Sequence, residues 1–257
     1  MGAVTADGEL AGLTALVTGG GSGIGRATAA LLAGRGARVA VLDVAPGGTP
    51  EPVAAFVGDI GDDASVRSAV AAALEHLGGL DILVNNAGVG ALGTVEENTD
   101  EEWHRVLDVN VVGMVRVTRA VLPALRASSG GSIVNVCSIA ATAGLPRRAL
   151  YSASKGAVLA LSRAMAADLV DAGIRVNCVN PGTVDTPWVG RLLDQADDPA
   201  GERAALAARQ PTGRLVTVDE VAAAVAYLAG PGAGATTGAV LAVDGGMAGL
   251  RLPTARR

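Results

Sequence analysis

Tyr151 and Lys155 stand four residues apart, a spacing that on a helix puts both side chains on one face about one turn apart. A phenol with an ordinary pKa of about 10 is a poor base at neutral pH, and an ammonium beside it favours the charged form. Of the 20 basic residues, 19 are arginine and one is Lys155. A single lysine among arginines points to a position that requires a compact point charge, which a guanidinium does not supply. Ser138, 13 residues before Tyr151, ends an apolar run and is suited to donate to a substrate oxygen beside the phenol. Asn110, in a long helical stretch, is suited to relay a proton through water. This set supports proton exchange with a carbinol or carbonyl oxygen.

A second group of residues suits a phosphate. Thr18-Gly19-Gly20-Gly21-Ser22-Gly23-Ile24-Gly25 follows an apolar run and leads into a helical pattern, so its glycines let backbone approach a pyrophosphate at a helix N-terminus. The spacing Gly19-xxx-Gly23-x-Gly25 differs from a strict GxGxxG. Asp43 closes the next apolar run 18 residues after Gly25, where a carboxylate accepts from both ribose hydroxyls. The same charge repels a 2′-phosphate, and neither the glycine turn nor Val44 to Pro52 holds an Arg or Lys to offset it. NAD is therefore expected over NADP; the plainer role for Asp43 is to cap a strand before a proline-rich loop.

These residues need a scaffold that gathers them at one edge. Seven short apolar runs, Leu13 to Thr18, Arg38 to Asp43, Pro52 to Asp59, Asp81 to Asn86, Ser132 to Ser138, Ile174 to Asn180 and Ala239 to Asp244, alternate with longer helical patterns. The clearest helices are expected over Ile24 to Ala33, Ala64 to Leu77, Asp100 to Arg126, Ser152 to Ala172 and Thr217 to Ala229, the last opening on the cap-like Thr217, Asp219 and Glu220. The rhythm predicts an α/β protein with a doubly wound Rossmann fold, a seven-stranded parallel sheet covered by helices on both faces, formed by residues 1–257 as one domain. One connection departs from the rhythm. Val44 to Pro52 is nine residues long, with three prolines and two glycines, and has no room for a helix, so either it is a tight loop or a strand is misplaced. Pro181 to Thr212 reads as irregular, with a mobile substrate lid at about 183–212.

Composition removes several other functions. The 25 acidic residues outnumber the basic ones, leaving a net charge of −5 and no polybasic nucleic-acid footprint. Half the chain is hydrophobic, enough for a sizeable core, yet no apolar run approaches the roughly 20 residues of a membrane span. Met1 to Leu10 lacks the basic start and apolar core of a secretory signal, so the cytoplasm is expected. Cys137 and Cys178 have no metal-type spacing, and metal catalysis is unsupported. Ser138 lacks a GxSxG elbow, and His76 and His104 fall within predicted helices as ordinary side chains, which disfavours a hydrolase.

Taken together, the glycine turn, Asn85-Asn86-Ala87-Gly88, Asn110, Ser138, Tyr151-xxx-Lys155, Pro181-Gly182 and Asp244-Gly245-Gly246 resemble the short-chain dehydrogenase/reductase family from about Leu10 to Gly246. The resemblance implies Tyr151 as general acid/base, Lys155 lowering its pKa and binding the nicotinamide ribose, Ser138 holding the reacting oxygen and Asn110 keeping a relay water. It implies cofactor contacts at Gly19, Ser22, Gly23, Ile24, Gly25 and Asp43, at Asp59 and Ile60 beside the adenine, and along Asn86, Ala87 and Gly88. Pro181, Gly182, Val184 and Thr186 would meet the carboxamide and phosphates. A helix usually stands where Val44 to Pro52 runs here.

Val176 to Pro187 and Gln210-x-Thr212-Gly213-Arg214 look like a narrower branch, that of cytosolic 3-hydroxybutyrate dehydrogenases and bacterial dehydrogenases of sugars and deoxy-sugar acids. There an Arg three residues before the Tyr binds the substrate carboxylate, and Arg148 has that offset. Arg147 and Arg148 read equally as a solvated loop pair. Arg191 stands one position early for a second carboxylate-binding Arg, and Trp188 either covers the substrate or packs the lid. The implied activity is NAD-dependent interconversion of a secondary alcohol and a ketone on a hydroxy acid, sugar or sugar acid, in a homotetramer built through the two long helices. The alternatives are a dehydrogenase of neutral or cyclic alcohols, and a non-catalytic nucleotide sensor.

Overall fold

The computed structural model describes residues 8–194 and 196–251, so residues 252–257 of the C-terminal tail lie outside the described residues. Seven strands, β1 (Thr14–Thr18), β2 (Arg38–Asp43), β3 (Ala54–Val57), β4 (Ile82–Asn85), β5 (Ser132–Val136), β6 (Arg175–Pro181) and β7 (Val240–Val243), form one sheet in the order β3-β2-β1-β4-β5-β6-β7. Neighbouring strands all run parallel. The expected Rossmann architecture is therefore present. Strands β1, β4 and β5 are buried along their whole length, which is why they read as near-continuous apolar runs.

Helices cover both faces. Helix α1 (Gly23–Gly34) packs against α8 (Val218–Ala229) over a core that includes Val17, Val41 and Val225. On the other face α2 (Asp63–Leu77), α4 (Met114–Ala127) and α5 (Ala149–Leu169) cover Leu16, Leu83 and Ile133. Alternate residues of one strand feed opposite cores, as Leu16 and Val17 do. Two buried asparagines cross-link the second layer: Asn85 donates to Asn135 at 2.9 Å, and Asn135 donates to Ser162 of α5 at 2.8 Å.

Residues 44–53 form turns with no helix, and β2 still pairs with β3 in parallel register from Ala40–Ala54 to Asp43–Val57. Both strands were placed correctly, and the proline-rich connection is a short crossover. Two expectations are corrected. The single helix over Asp100 to Arg126 is α3 (Asp100–Leu107), a π-helical turn (Asp108–Gly113) and α4, because a π turn has no signature in hydrophobic spacing. The irregular stretch Pro181 to Thr212 contains α6 (Pro187–Leu193) and α7 (Pro199–Ala208). Each begins with Pro at its first position after a capping residue, Thr186 or Asp198, whose side chain accepts a backbone N–H. Among the described residues no helix is long and apolar enough to cross a membrane.

Thr217 and Glu220 form a reciprocal capping box at the start of α8, and Arg214 pairs with Glu220 through both carboxylate oxygens. Hydrogen bonding to Arg214 and to the Thr217 N–H holds the Glu220 carboxyl at about 2, below its ordinary 4.5. That contribution is present above pH 4.5 and fades as pH falls toward 2. Thr217→Ala is expected to lower stability by about 1 kcal/mol, read as a shift of the urea midpoint at pH 7 with no change in its slope.

Candidate active site

The C-terminal ends of β1 and β4 carry the glycine turn and the Asn86-Ala87-Gly88 segment. The Thr18 hydroxyl accepts the N–H groups of Asn86 and Ala87, both at 3.1 Å. In return Asn86 Nδ2 donates to the carbonyls of Thr18 and Gly19 at 3.0 and 3.1 Å. These bonds hold the turn so close that a Cβ on Gly19, whose φ is 68°, would lie 2.8 Å from Ala87 Cα. Gly25 sits inside the turn against the Gly19 carbonyl and has no room for a side chain. Ser22 precedes α1 without a side-chain capping bond, leaving the first N–H groups of that helix available to an anion.

A groove of about 400 Å³ opens over this turn. Gly19, Ser22, Gly23 and Ile24 form its floor, with Asp43, Asp59 and Ile60 at one end. Asn86, Ala87 and Gly88 line its other wall. Asp43 is fixed by the backbone, Oδ2 accepting from Gly21 and Oδ1 from Ala45, each at 2.9 Å. Glycine cradle, uncapped helix end and anchored carboxylate together fit a dinucleotide. Arg191 of α6 also lines this groove.

A neighbouring cavity of about 170 Å³ holds Ser138, Arg148, Tyr151 and Trp188. Ser138 follows β5 and caps a short 3-10 turn, its Oγ accepting from Ala140 N at 3.2 Å, so its own proton remains free to donate. Lys155 is buried beneath, its Nζ donating to the Val136 carbonyl at 3.0 Å and lying 5.9 Å from the Tyr151 ring centroid. Cys137 Sγ bonds the Lys155 carbonyl at 3.2 Å, tying β5 to the helix that bears both residues.

Asn110 sits in the π-helical turn, and its side chain is fully used. Oδ1 accepts from Val89 N at 2.7 Å, while Nδ2 donates to Val89 O at 2.9 Å and to Ser154 Oγ at 3.0 Å. Ser154 in turn donates to the Tyr151 carbonyl at 2.8 Å, so Asn110 braces the turn that carries the phenol. A cavity of about 10 Å³ lined by Asn110 and Lys155 has room for about one water.

Arg147 and Arg148 have different surroundings. Arg147 adopts φ 55° and pairs with Glu97 at 2.9 Å, as a solvated loop residue does. Its carbonyl accepts from Gly93 N at 3.0 Å, and this left-handed residue turns the chain so that Arg148 enters the cavity. Arg148 donates to the Ala91 carbonyl at 3.1 Å and lies 5.7 Å from the Trp188 ring. Burial pushes its guanidinium below the ordinary range.

Pro181, Gly182 and Val184 line the Ser138 cavity and not the dinucleotide groove, while Thr186 and Trp188 border both. Nine of the residues lining that cavity, Leu145, Leu192, Leu206 and Arg209 among them, are not singled out by the sequence, most because they fall in the segment Pro181 to Thr212 that reads as irregular. The Thr186-Pro187 and Asp198-Pro199 pairs are the signal that would have revealed its helices.

A dinucleotide groove meeting a cavity that holds Ser138 and Tyr151, with Lys155 buried beneath, at the end of a parallel sheet defines an oxidoreductase of the Rossmann type. A family model described as enoyl-(acyl carrier protein) reductase matches residues 19–248. The cis-4-hydroxycyclohexanecarboxylate dehydrogenase of Sinomonas cyclohexanicum is 42% identical over 244 residues, covering 90% of this chain and 95% of its own. A 2-(S)-hydroxypropyl-CoM dehydrogenase of Xanthobacter autotrophicus is 37% identical over 244 residues, covering 91% and 96%. The ligand-free aldohexose dehydrogenase of Thermoplasma acidophilum superposes with a TM-score of 0.90 at 31% identity, over 96% of this chain and 98% of that one. The chain belongs to the short-chain dehydrogenase/reductase family, whose members use a nicotinamide cofactor, NAD or NADP.

Gly25→Ala is expected to weaken binding of the reduced nicotinamide dinucleotide about tenfold or more, because the added methyl meets the Gly19 carbonyl and displaces the turn. A fluorescence titration of the folded variant measures it.

Proposed function

We propose that the protein is an NAD-dependent dehydrogenase that interconverts a secondary alcohol and a ketone on a small polar substrate, with a hydroxy acid as the leading class. The observation that carries this reading is the meeting of Ser138, Tyr151 and the half-buried Arg148 in one cavity beside the Asp43 groove. The nicotinamide, when bound, supplies or accepts the hydride at the carbon bearing the reacting oxygen. Ser138 Oγ donates to that oxygen and orients it. Tyr151 Oη takes the alcohol proton in oxidation and returns it in reduction. Lys155, pinned by Val136 O, keeps a fixed positive charge beneath the phenol and reaches toward Gly88 in the groove wall. The one-water cavity beside Asn110 and Lys155 gives the proton a path inward.

Asp43 supports NAD over NADP because its anchored carboxylate faces the groove with no cation from residues 44–52 to offset a 2′-phosphate. Arg26, the next basic residue after the glycine turn, lines a separate cavity with Asp185. Arg148 suits a carboxylate: among the described residues it has no acidic partner, and its planar donors match two oxygens. The Sinomonas relative, by its name, acts on a hydroxy acid, which agrees with this assignment. The apolar wall of Leu145, Leu192 and Leu206 favours a second reading, a neutral cyclic alcohol. The proposal includes the homotetramer implied by the resemblance and the cytoplasmic setting expected from the sequence.

The test is a screen of NAD and NADP reduction over matched secondary alcohols, half with a carboxylate and half neutral. Turnover concentrated in the acids, with NAD preferred, is expected, and a tight NADP preference would overturn the role of Asp43. Tyr151→Phe is expected to lose about 10²–10⁴-fold in kcat while still binding NADH. Full turnover by that variant would remove Tyr151 as the acid/base, and binding without turnover of any alcohol by the wild type would favour the nucleotide sensor.

A further inference from the structure

Asp59 and Ile60 stand at one end of the dinucleotide groove, where Leu42, Val44 and Val109 complete an apolar slot. Val44 is exposed although apolar, so the slot suits a flat purine base that would cover it. The loop that carries Asp59 and Ile60 has little support from its own stretch of chain. It leaves β3, a four-residue edge strand with alternate residues exposed, and residues 44–53 before β3 hold no helix to pack behind it. Support comes instead from a distant element. Arg116 of α4 donates from Nη1 to the Ile60 carbonyl at 3.2 Å and from Nη2 to Asp108 Oδ1 at 2.8 Å. Asp108 opens the π-helical turn, and the next residue, Val109, belongs to the slot. Gly113 closes the same turn so near the loop that a Cβ on it would meet the Ile60 carbonyl at 2.9 Å. One guanidinium therefore joins the two segments that supply Ile60 and Val109. The hydrogen bond to Asp108, with the charges of Asp63 and Asp62 beyond it, raises Arg116 above its ordinary range.

We propose that Arg116 is a positioning residue for the cofactor: its two-donor fork fixes the slot between Ile60 and Val109 for the purine base, standing in for the helix that residues 44–53 lack. The inference rests on the dinucleotide assignment of the groove and not on which alcohol is oxidised. Arg116 does not line the groove, so it acts through Ile60 and Asp108 without touching the base. A slot held open in the free protein spares the base the cost of ordering the loop when it binds. The planar fork matters, because a lysine ammonium is a single point on a flexible stem and does not reproduce parallel donors aimed at a carbonyl and a carboxylate on two segments. Arg67 supplies an internal contrast: it pairs with Asp63 at 2.6 Å, an exposed ion pair confined to α2.

The experiment divides the cofactor into its halves. Calorimetry follows ADP-ribose, which carries the purine, and a fluorescence titration follows reduced nicotinamide mononucleotide, which does not. Both are applied to the wild type, Arg116→Gln, Arg116→Lys and Arg67→Gln, with thermal unfolding of each protein alongside. Arg116→Gln is expected to weaken ADP-ribose about fivefold or more and to leave the mononucleotide unchanged, with Arg116→Lys intermediate and Arg67→Gln like the wild type. With any alcohol that is turned over, KM for the dinucleotide is expected to rise by a similar factor while kcat at saturation stays within about twofold. A purely structural role would lower Tm and weaken both halves alike, and that result overturns the proposal. Unchanged ADP-ribose affinity in folded Arg116→Gln overturns it as well. If Arg116→Gln does not fold, Arg116→Lys decides on the same terms: a loss confined to ADP-ribose supports the positioning role, and an equal loss or none removes it. A wild type that binds neither half would take away the dinucleotide assignment and the proposal with it. Binding of both halves without turnover of any alcohol would remove only the dehydrogenase reading and leave the role of Arg116 to the ADP-ribose titration.

Discussion

The site depends on one constraint of parallel β structure: strands that run the same way deliver all their C-terminal ends to one edge. Where the order reverses, between β2-β1 on one side and β4-β5 on the other, the chains leaving β1 and β4 depart to opposite faces and open a crevice. In this protein the crevice is held by side chain to backbone bonds, Thr18 to Asn86 and Ala87, and Asn86 back to Thr18 and Gly19. The glycines are a consequence of that closeness, because the Asn86-Ala87 backbone occupies the space a Cβ would need at Gly19.

The same edge concentrates fixed charge. Asp43 is held by two backbone N–H groups, and the Lys155 ammonium is buried and held by a backbone carbonyl. Neither forms a salt bridge among the described residues, so both charges remain available to a ligand while their positions are set by the backbone. Preorganised charge of this kind costs little reorganisation when a reacting oxygen changes its protonation.

The π-helical turn has a related role. It places Asn110 where one amide reaches both the Val89 backbone and Ser154, joining the loop after β4 to the helix that carries Tyr151. On the other side of the cavity, the left-handed conformation of Arg147 divides a pair of identical residues. One arginine stays with Glu97 in solvent, and the other faces the cavity.

How much was legible in the sequence follows from the range of each interaction. The strands, most helices, the short Val44 to Pro52 crossover and the α8 cap depend on hydrophobic period and local backbone chemistry, which neighbouring residues display directly. The Tyr151-xxx-Lys155 pair and the glycine turn were legible for the same reason, since their spacings are one helical turn and one tight loop. Three features depend on contacts distant in sequence and had no local signature: the bracing of Ser154 by Asn110 across 44 residues, the division of Arg147 from Arg148 by backbone bonding to Gly93, and the gathering of Arg209 with Arg148 in one cavity. The residue types and order of the elements determined that a parallel-sheet Rossmann fold would form with Tyr151 and Lys155 one helical turn apart. Only tertiary packing decided which side chains face the cavity beside Ser138, because a short-range pattern specifies the face of a helix but not what that face meets.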